Sequence, residues 1–356
     1  MRRCLELAVL GSGAVSPNPM VGSVVVHDGR IVGEGWHERF GGPHAEVNAI
    51  SSVPDPELLR KSTLYVNLEP CSHFGKTPPC SDLIISREIP RVVVGCLDPH
   101  DKVSGRGVSR LQEAGVDVTV GVLGEESERL NEGFMTSHRK GRPFVTIKVA
   151  QTLDGRIATS LGASKWITGD ESRIEVHRMR SRYDAVLTSS STALADDAEL
   201  TVRHCEGRQP LRVVLDRQLR MPVESKVFSP GARTLVFASM DRAEPGRIDQ
   251  LTSRGVEVEM VDEAAGGLNL DQVMAGLHRR QVLSVMVEAG SHLAAAFVRS
   301  RLADKLQVFI APRLFGGDGL PSFGTLDVLL PGQSVNLRFA GLSMAGSDLV
   351  VEAYVV

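Results

Sequence analysis

Residues 43 to 47 read Pro43-His44-Ala45-Glu46-Val47, and the segment from 70 to 80 opens with Pro70-Cys71 and closes with Pro79-Cys80. One imidazole and two thiolates suit tetrahedral zinc, and a set of three protein ligands leaves a fourth position for water. That is the catalytic arrangement, in which the ion lowers the pKa of its water towards 7. A carboxylate two residues from the His can shuttle the proton of that water. Residues at i and i+2 do not share a helix face. The pair therefore suits the first turn of a helix, with Glu46 beside the metal and not on it. Both cysteines are expected next to a helix start, where the dipole favours thiolate. Taken one at a time, these are a histidine and two small buried residues; their order after a strand–helix alternation is what points to zinc. Cys4 and Cys96 read as buried apolar residues.

A second group of residues lies after position 143. Lys148-Val149-Ala150-Gln151-Thr152-Leu153-Asp154-Gly155-Arg156 is a strand running into a turn. Ser164-Lys165-Trp166, Thr192 to Asp197 and Leu200-Thr201-Val202-Arg203 follow. Val287-Glu288-Ala289-Gly290-Ser291 then leads into a helical stretch. Strand, Gly turn and helix start make a phosphate site from free backbone N–H groups, or a plain connection. No G-x-G-x-x-G is present, so a standard Rossmann domain is not indicated.

The elements that must hold these groups are legible from apolar runs. Asp28-Gly29 between Ser23–Val26 and Ile31–Gly35 is a hairpin signal. Strands at 63–68, 91–95 and 116–120 alternate with helices at 45–51, 81–88 and 107–114, followed by one polar helix over 125–140. Gly141 and Pro143 stop that helix, which divides the chain into domains 1–143 and 144–356. The second part predicts strands at 144–150, 185–188, 211–215, 234–237, 256–261, 283–287 and 306–310. Helices are expected at 170–182, 270–280 and 293–301, with a closing hairpin over 336–342 and 349–356. Both parts read as layered α/β domains.

The chain has 356 residues, 42% apolar and 23% charged, with a net charge of -3. It holds two cores and lacks the basic surface that nucleic acid would require. The apolar runs fall far short of a membrane span. Arg2 and Arg3 open a helix rather than a signal peptide, because Glu6 interrupts the apolar run. Five cysteines without a secretion signal predict reduced thiols and a cytoplasmic location.

The H-x-E with Pro-Cys and a second Cys matches the zinc nucleobase deaminases in kind. The spacing is more specific, with eight residues between the cysteines, including His73, Gly75, Lys76, Thr77, Pro78 and Pro79. This resembles the bifunctional riboflavin-biosynthesis deaminase–reductase family, whose pattern is P-C-x-H-x-G-[KR]-T-P-P-C. Asn18-Pro19-Met20-Val21-Gly22 resembles that family's N-P-x-V-G segment, and the resemblance runs over the whole chain. It implies a cytidine-deaminase-like α/β/α domain with one zinc, followed by a reductase domain similar to dihydrofolate reductase. The first domain would deaminate a diaminopyrimidinone ribosylamino 5'-phosphate. In the second, NADPH would reduce the ribosyl group.

Carried over by position, His44, Cys71 and Cys80 bind zinc and Glu46 shuttles the proton. Asn18, His73, Lys76 and Asp98 are weaker candidates for substrate contact. Ala150, Trp166, Thr192, Asp196 and the segment Gly290, Ser291, His292, Leu293, Ala294, Ala295 and Ala296 meet NADPH. Arg217 follows Asp216 where the family often has a small hydroxyl residue; it could meet the cofactor's 2'-phosphate or be a solvated Arg in a turn. Ser164, Arg180, Leu200, Arg203 and Glu288 meet the substrate, and Lys148 could protonate the sugar. Arg180 and Arg203 suit a phosphate because guanidinium binds its oxygens as a fork. Two positions depart from the family: His100 stands in D-P-N-P, and Ala198 replaces the Pro of D-[DN]-P. The implied partner is a small pyrimidine ribosyl phosphate, with no nucleic acid and no membrane; a homo-oligomer is left open. Two other readings exist: a nucleic-acid or nucleoside deaminase fused to a binding module, and a zinc scaffold without turnover. The first needs a basic, aromatic-rich face, whereas aromatics make up 4%. The second leaves Glu46 and the second domain without a role.

Overall fold

Asp28 and Gly29 both take positive φ, 47° and 73°, as a two-residue hairpin turn of this hand requires. They join strands β1 (Gly22–His27) and β2 (Arg30–Trp36), the start of a five-stranded sheet. The computed structural model describes residues 1–72, 78–100, 104–264 and 266–356. It divides into two units, Met1–Arg142 and Pro143–Val356.

In the first unit, helix α1 (Arg2–Val9) precedes the hairpin. Then come α2 (Ala45–Ser51), β3 (Thr63–Leu68), α3 (Cys80–Ser86), β4 (Arg91–Cys96), α4 (Arg106–Glu113) and β5 (Asp117–Val120). Helices α5 (Gly124–Leu130) and α6 (Glu132–Lys140) complete it. The strand order is β2-β1-β3-β4-β5. β1 runs antiparallel to both neighbours, and β3, β4 and β5 are parallel. Successive strand residues point to opposite faces, and β1 shows it. Val25 packs with Ala49 of α2, Ile84 of α3 and Leu111 of α4, whereas Val24 packs with Cys4 and Leu7 of α1. The polar helix expected over 125–140 is two helices. Asn131 breaks it, because its side chain is spent on Met20: Oδ1 accepts the Met20 N–H at 2.7 Å and Nδ2 donates to the Met20 carbonyl at 2.9 Å.

The second unit contains β6 (Phe144–Thr152), β7 (Arg156–Ala158), α7 (Asp170–Arg182), β8 (Ala185–Ser189), α8 (Ser190–Asp196), β9 (Leu211–Leu215), β10 (Thr234–Ser239) and α9 (Pro245–Thr252). β11 (Glu257–Val261), β12 (Glu263–Ala264), β13 (Gly267–Leu268), α10 (Leu270–Arg279), β14 (Ser284–Glu288), α11 (Ser291–Arg299) and β15 (Lys305–Ala311) follow. β16 (Leu320–Pro321) and the hairpin β17 (Leu337–Ala345) and β18 (Asp348–Val355) end the chain. Nine strands form one sheet in the order β11-β10-β9-β8-β14-β6-β15-β18-β17. It is parallel from β11 to β15, and the terminal hairpin adds two antiparallel strands. β8, β9, β10 and β14 are almost wholly buried, as strands covered on both faces must be. One face packs on α10 and α11, through Leu277 and Phe297. The other packs on α7 and α9, through Val176 and Leu251. No described helix is long and apolar enough to cross a membrane.

Candidate active sites

The metal cluster forms where two helices begin. His44 is the residue before the first turn of α2, and Glu46 lies within that turn. Cys80 is the first residue of α3. Cys71 lies in the loop after β3, not at a helix start; it meets one in space, its Sγ accepting the Cys80 N–H at 3.3 Å. His44 Nδ1 lies 3.5 Å from Cys71 Sγ and 3.3 Å from Cys80 Sγ. Bond lengths of about 2.3 Å to sulfur and 2.0–2.1 Å to nitrogen put tetrahedral zinc ligands roughly 3.5 Å apart, so the three side chains fit the ion as they stand. Among the described residues they are the one group of this kind. Hydrogen bonds from Cys80 and His44 bring the Cys71 thiol down to about 4, and Cys71 in turn raises His44 to about 9. Burial pushes the Glu46 carboxyl up to about 7, while His44 and the Cys80 thiol beside it draw it back.

The walls around this cluster come from residues that the sequence patterns did not single out. His37 donates or accepts at both ring nitrogens, with Asn18 Nδ2 at 3.0 Å and the Pro43 carbonyl at 2.9 Å. Its ring meets that of His44 edge-on, 5.6 Å between centroids. His37 thus ties Asn18 to the metal side. The segment after Asn18 is held from beneath: Asn67 of β3 accepts the Gly22 N–H at 2.8 Å and donates to the Met20 carbonyl at 3.1 Å. Glu69 is buried and accepts four backbone N–H groups, from Asp98, Gly105, Gly107 and Val108, at 2.8–3.2 Å. It welds the segment before Cys71 to the loop that carries Asp98. The one signal for Glu69 was an acid closing an otherwise apolar strand.

Asp98 itself is buried, and burial pushes its carboxyl up to about 6. Its Oδ1 accepts the His100 N–H at 2.8 Å. The His100 ring leans on that of His138 at 4.8 Å, so at the departure from the family pattern an aromatic contact replaces an amide side chain. His73 and Lys76 lie outside the described residues.

The second unit gathers its candidates along the C-terminal ends of adjacent strands. Glu288, at the end of β14, receives Arg180 of α7 as a fork, Nε to Oε1 at 2.7 Å and a terminal nitrogen to Oε2 at 3.1 Å. Lys148 of β6 approaches the same carboxylate at 3.5 Å. Burial would raise Glu288, but the Arg180 and Lys148 cations outweigh it and hold the carboxyl down at about 2. The Arg180 fork is therefore engaged by Glu288, and its remaining nitrogen donates to the Thr201 carbonyl at 3.0 Å. Arg203 likewise pairs with Glu199 and reaches Thr201 Oγ1 at 2.9 Å. Leu200, buried in the apolar core with Val176 and Met179, takes φ +57°, a strained conformation for a γ-branched residue. Ala198 donates its N–H to the Ala193 carbonyl at 3.1 Å, a bond that the family's Pro could not make.

Gly290 precedes α11, whose N-terminus has no side-chain cap, so the amides of Ser291, His292 and Leu293 stay available to a phosphate. Thr192 Oγ1 accepts the Gly290 N–H at 3.1 Å and lies 3.0 Å from Ser189 Oγ, joining the starts of α8 and α11. Leu293 and Ala296 face the core, as do the buried Ala294 and Ala295. Ser164 lies 3.4 Å from Asp196 Oδ1, and Lys165 donates to the Asp196 carbonyl at 2.8 Å. Trp166 is exposed, with Arg173 stacked 4.5 Å from its ring centre and Arg313 on its carbonyl at 2.9 Å. Ala150 sits at the middle of the sheet on β6. Arg217 follows β9 and lies 3.8 Å from Glu263, which Arg242 also meets at 2.7 Å; the last two were not anticipated.

Comparison with known proteins covers the whole chain. Residues 1–96 match the family model described as the cytidine and deoxycytidylate deaminase zinc-binding region, and residues 143–351 match the RibD C-terminal domain. The riboflavin biosynthesis protein RibD of Aquifex aeolicus (strain VF5) is 42% identical over 99% of this chain and 96% of its own. Its counterpart in Escherichia coli (strain K12) is 41% identical over 98% and 96%. Among solved structures, Acinetobacter baumannii RibD superposes with a TM-score of 0.89 at 33% identity, covering 100% of this chain and 97% of that one. A diaminohydroxyphosphoribosylaminopyrimidine deaminase/5-amino-6-(5-phosphoribosylamino)uracil reductase from Thermotoga maritima gives 0.86 at 41% identity, with the same coverage.

Proposed function

Because the chain belongs to the RibD family of riboflavin-biosynthesis proteins, we propose that it is a bifunctional enzyme that deaminates a pyrimidine and then reduces its sugar. The substrate is the 5'-phosphate of 2,5-diamino-6-ribosylamino-4(3H)-pyrimidinone, and the product is 5-amino-6-ribitylamino-uracil 5'-phosphate. Residues 1–143 form the deaminase and 144–356 the reductase. The observation that carries this reading is the coexistence, in one chain, of a three-ligand zinc cluster beside a buried acid and an uncapped helix start beside a buried cation–carboxylate cluster.

His44, Cys71 and Cys80 hold zinc, which when bound supplies an activated water. Glu46, buried beside the ligands, accepts a proton and returns it, to the ring nitrogen and then to the departing amine. Asn18, held by His37, and Asp98, held by Glu69, orient the pyrimidine. By their place in the family's sequence pattern, His73 and Lys76 are further substrate contacts.

In the second unit NADPH, when bound, supplies the hydride for C1' of the opened sugar. Ala150, Trp166, Thr192, Asp196 and Gly290 to Ala296 seat it, and Arg217 takes its 2'-phosphate. Ser164, Arg180, Leu200, Arg203 and Glu288 meet the substrate, Arg180 and Arg203 through exchange of a carboxylate for a phosphate partner. Lys148, held by Glu288, is positioned to give a proton to the sugar oxygen. The enzyme works in the cytoplasm.

The test is direct. Purified protein incubated with the diaminopyrimidinone phosphate and NADPH releases one ammonia and oxidises one NADPH per substrate. Release of ammonia without NADPH oxidation, or the reverse, would sink the two-step reading.

A further inference from the structure

The helix that carries Arg180 begins on a glycine. Gly169, the residue before α7, has no side chain with which to cap it. The acceptor comes instead from near the end of the chain. Asp348, the first residue of β18, is buried, and its Oδ2 accepts the Gly169 N–H at 2.7 Å and the Ser172 hydroxyl at 2.6 Å. A carboxylate placed there meets the positive end of the helix dipole as well as these two donors. The two-residue turn Gly346-Ser347 between β17 and β18 aims it. Gly346 takes φ +62°, and a Cβ on it would lie 2.6 Å from Glu171 Oε2, so the tip of the hairpin rests on the first turn of α7. Val350, two residues on and therefore on the same face of β18, is buried in one core with Val176 and Met179 of that helix.

This helix start holds the segment from Ser164 to Thr168. Arg173, one turn into α7, lies 4.5 Å from the centre of the Trp166 ring, donates to the Thr168 carbonyl at 3.3 Å and pairs with Asp170. At the other end of the segment, Lys165 donates to the Asp196 carbonyl at 2.8 Å. Ile167 is buried and Arg313 holds the Trp166 carbonyl, but the Trp166 ring itself faces water, 62% exposed. Its place is therefore set by Arg173, and Arg173 keeps its own place only while the first turn of α7 stays wound. Helix ends are where winding is lost first, because their terminal amides lack partners within the helix.

We propose that Asp348 is a positioning residue of the reductase: by fixing the start of α7 it sets Arg173, and through Arg173 the Trp166 ring that seats the cofactor. The inference rests on the reading of Trp166 as a cofactor contact given above. Asp348 itself touches neither cofactor nor substrate. Lys148 and Glu288 lie on β6 and β14, strands that do not depend on this cap. Loss of Asp348 therefore weakens cofactor binding and spares turnover once the cofactor is bound. A merely structural role would lower stability and leave both constants where they were.

Steady-state NADPH oxidation by the full-length protein, on the already deaminated pyrimidine, tests it. Asp348→Ala is expected to raise the KM for NADPH about tenfold, the size of a lost helix cap, with kcat within about twofold of wild type. Asp348→Asn keeps an acceptor oxygen and stays within about threefold. Ser172→Ala removes one donor and raises KM about threefold; it carries the test if Asp348→Ala does not fold. Val273→Ala, in the core under α10, is the control: it lowers the melting temperature and leaves KM unchanged. The second readout is Trp166 itself, made the one tryptophan by Trp36→Phe. Asp348→Ala is expected to lower its fluorescence anisotropy, and Asp348→Asn to restore it. An unchanged KM or an unchanged anisotropy in the folded variants overturns the proposal, and so does an equal rise of KM in Val273→Ala. A wild-type KM for NADPH in Trp166→Ala would instead sink the reading of Trp166, and with it the link from Asp348 to the cofactor, whatever the anisotropy shows.

Discussion

At the scale of single residues, the proposed zinc site depends on each of three side chains whose ligand atoms are held within 4.8 Å of one another. His44, Cys71 and Cys80 stand in patterns whose chemistry is carried by the residue types themselves. Cys80→Ser replaces a soft ligand by a poor one and is expected to lower zinc content from one per chain to well under half; stoichiometric zinc in that variant would remove Cys80 from the set. His37, Asn67, Glu69 and Asn131 act through backbone groups distant in sequence, and no local spacing reveals such contacts. His177 is a similar case with a measurable signature. It is buried, and its Nδ1 accepts the Arg203 N–H at 3.0 Å. Burial, with Arg180 and His204 nearby, pushes it down to about 4. An unfolded chain protonates this ring near pH 6.5, so between about pH 6.5 and 4 the unfolded state binds the extra proton and folding weakens as pH falls. His177→Gln should flatten the fall of melting temperature over that window; an unchanged slope would acquit the residue.

At the scale of elements, apolar periodicity located most strands and the longer helices, because burial decides them. It failed where a side chain had another duty, as at Asn131, and where helices are short and lie at strand ends, as with α8 and α9. The contact of α2 with β2 is where an element positions chemistry. A Cβ on Gly35 would lie 2.5 Å from Asn48 Cβ and 2.6 Å from the Ala49 nitrogen. Gly35→Ala must therefore lift α2, and with it His44 and Glu46. We expect a loss of about 1–3 kcal/mol in stability and weaker zinc retention under a chelator; unaltered retention would mean that α2 has room to move. In the second unit, Thr192 is the pin between α8 and α11. Thr192→Val removes the acceptor for Gly290, and a lost hydrogen bond of about 1 kcal/mol translates into roughly fivefold weaker NADPH binding, read by titration calorimetry.

At the scale of the whole molecule, the two proposed chemistries belong to units with separate cores. Glu46→Ala is expected to abolish ammonia release while NADPH oxidation persists on the already deaminated pyrimidine, and Asp196→Ala to do the reverse. A folded, zinc-loaded Glu46→Ala protein that has lost both activities would join what is here divided. The order of strands has a further consequence, for how the chain comes to be folded. β6 opens the second unit yet lies between β14 and β15, whose pairing partners are about 140 and 160 residues further along. On a ribosome the first unit can close while the second is still being made, and β8 to β11 can pair as they emerge. β6 must wait, its apolar residues unpartnered, until β14 has left the exit tunnel. Synthesis at about 5–20 residues per second makes that a wait of roughly seven to thirty seconds. During this interval the nascent chain is a client for chaperones.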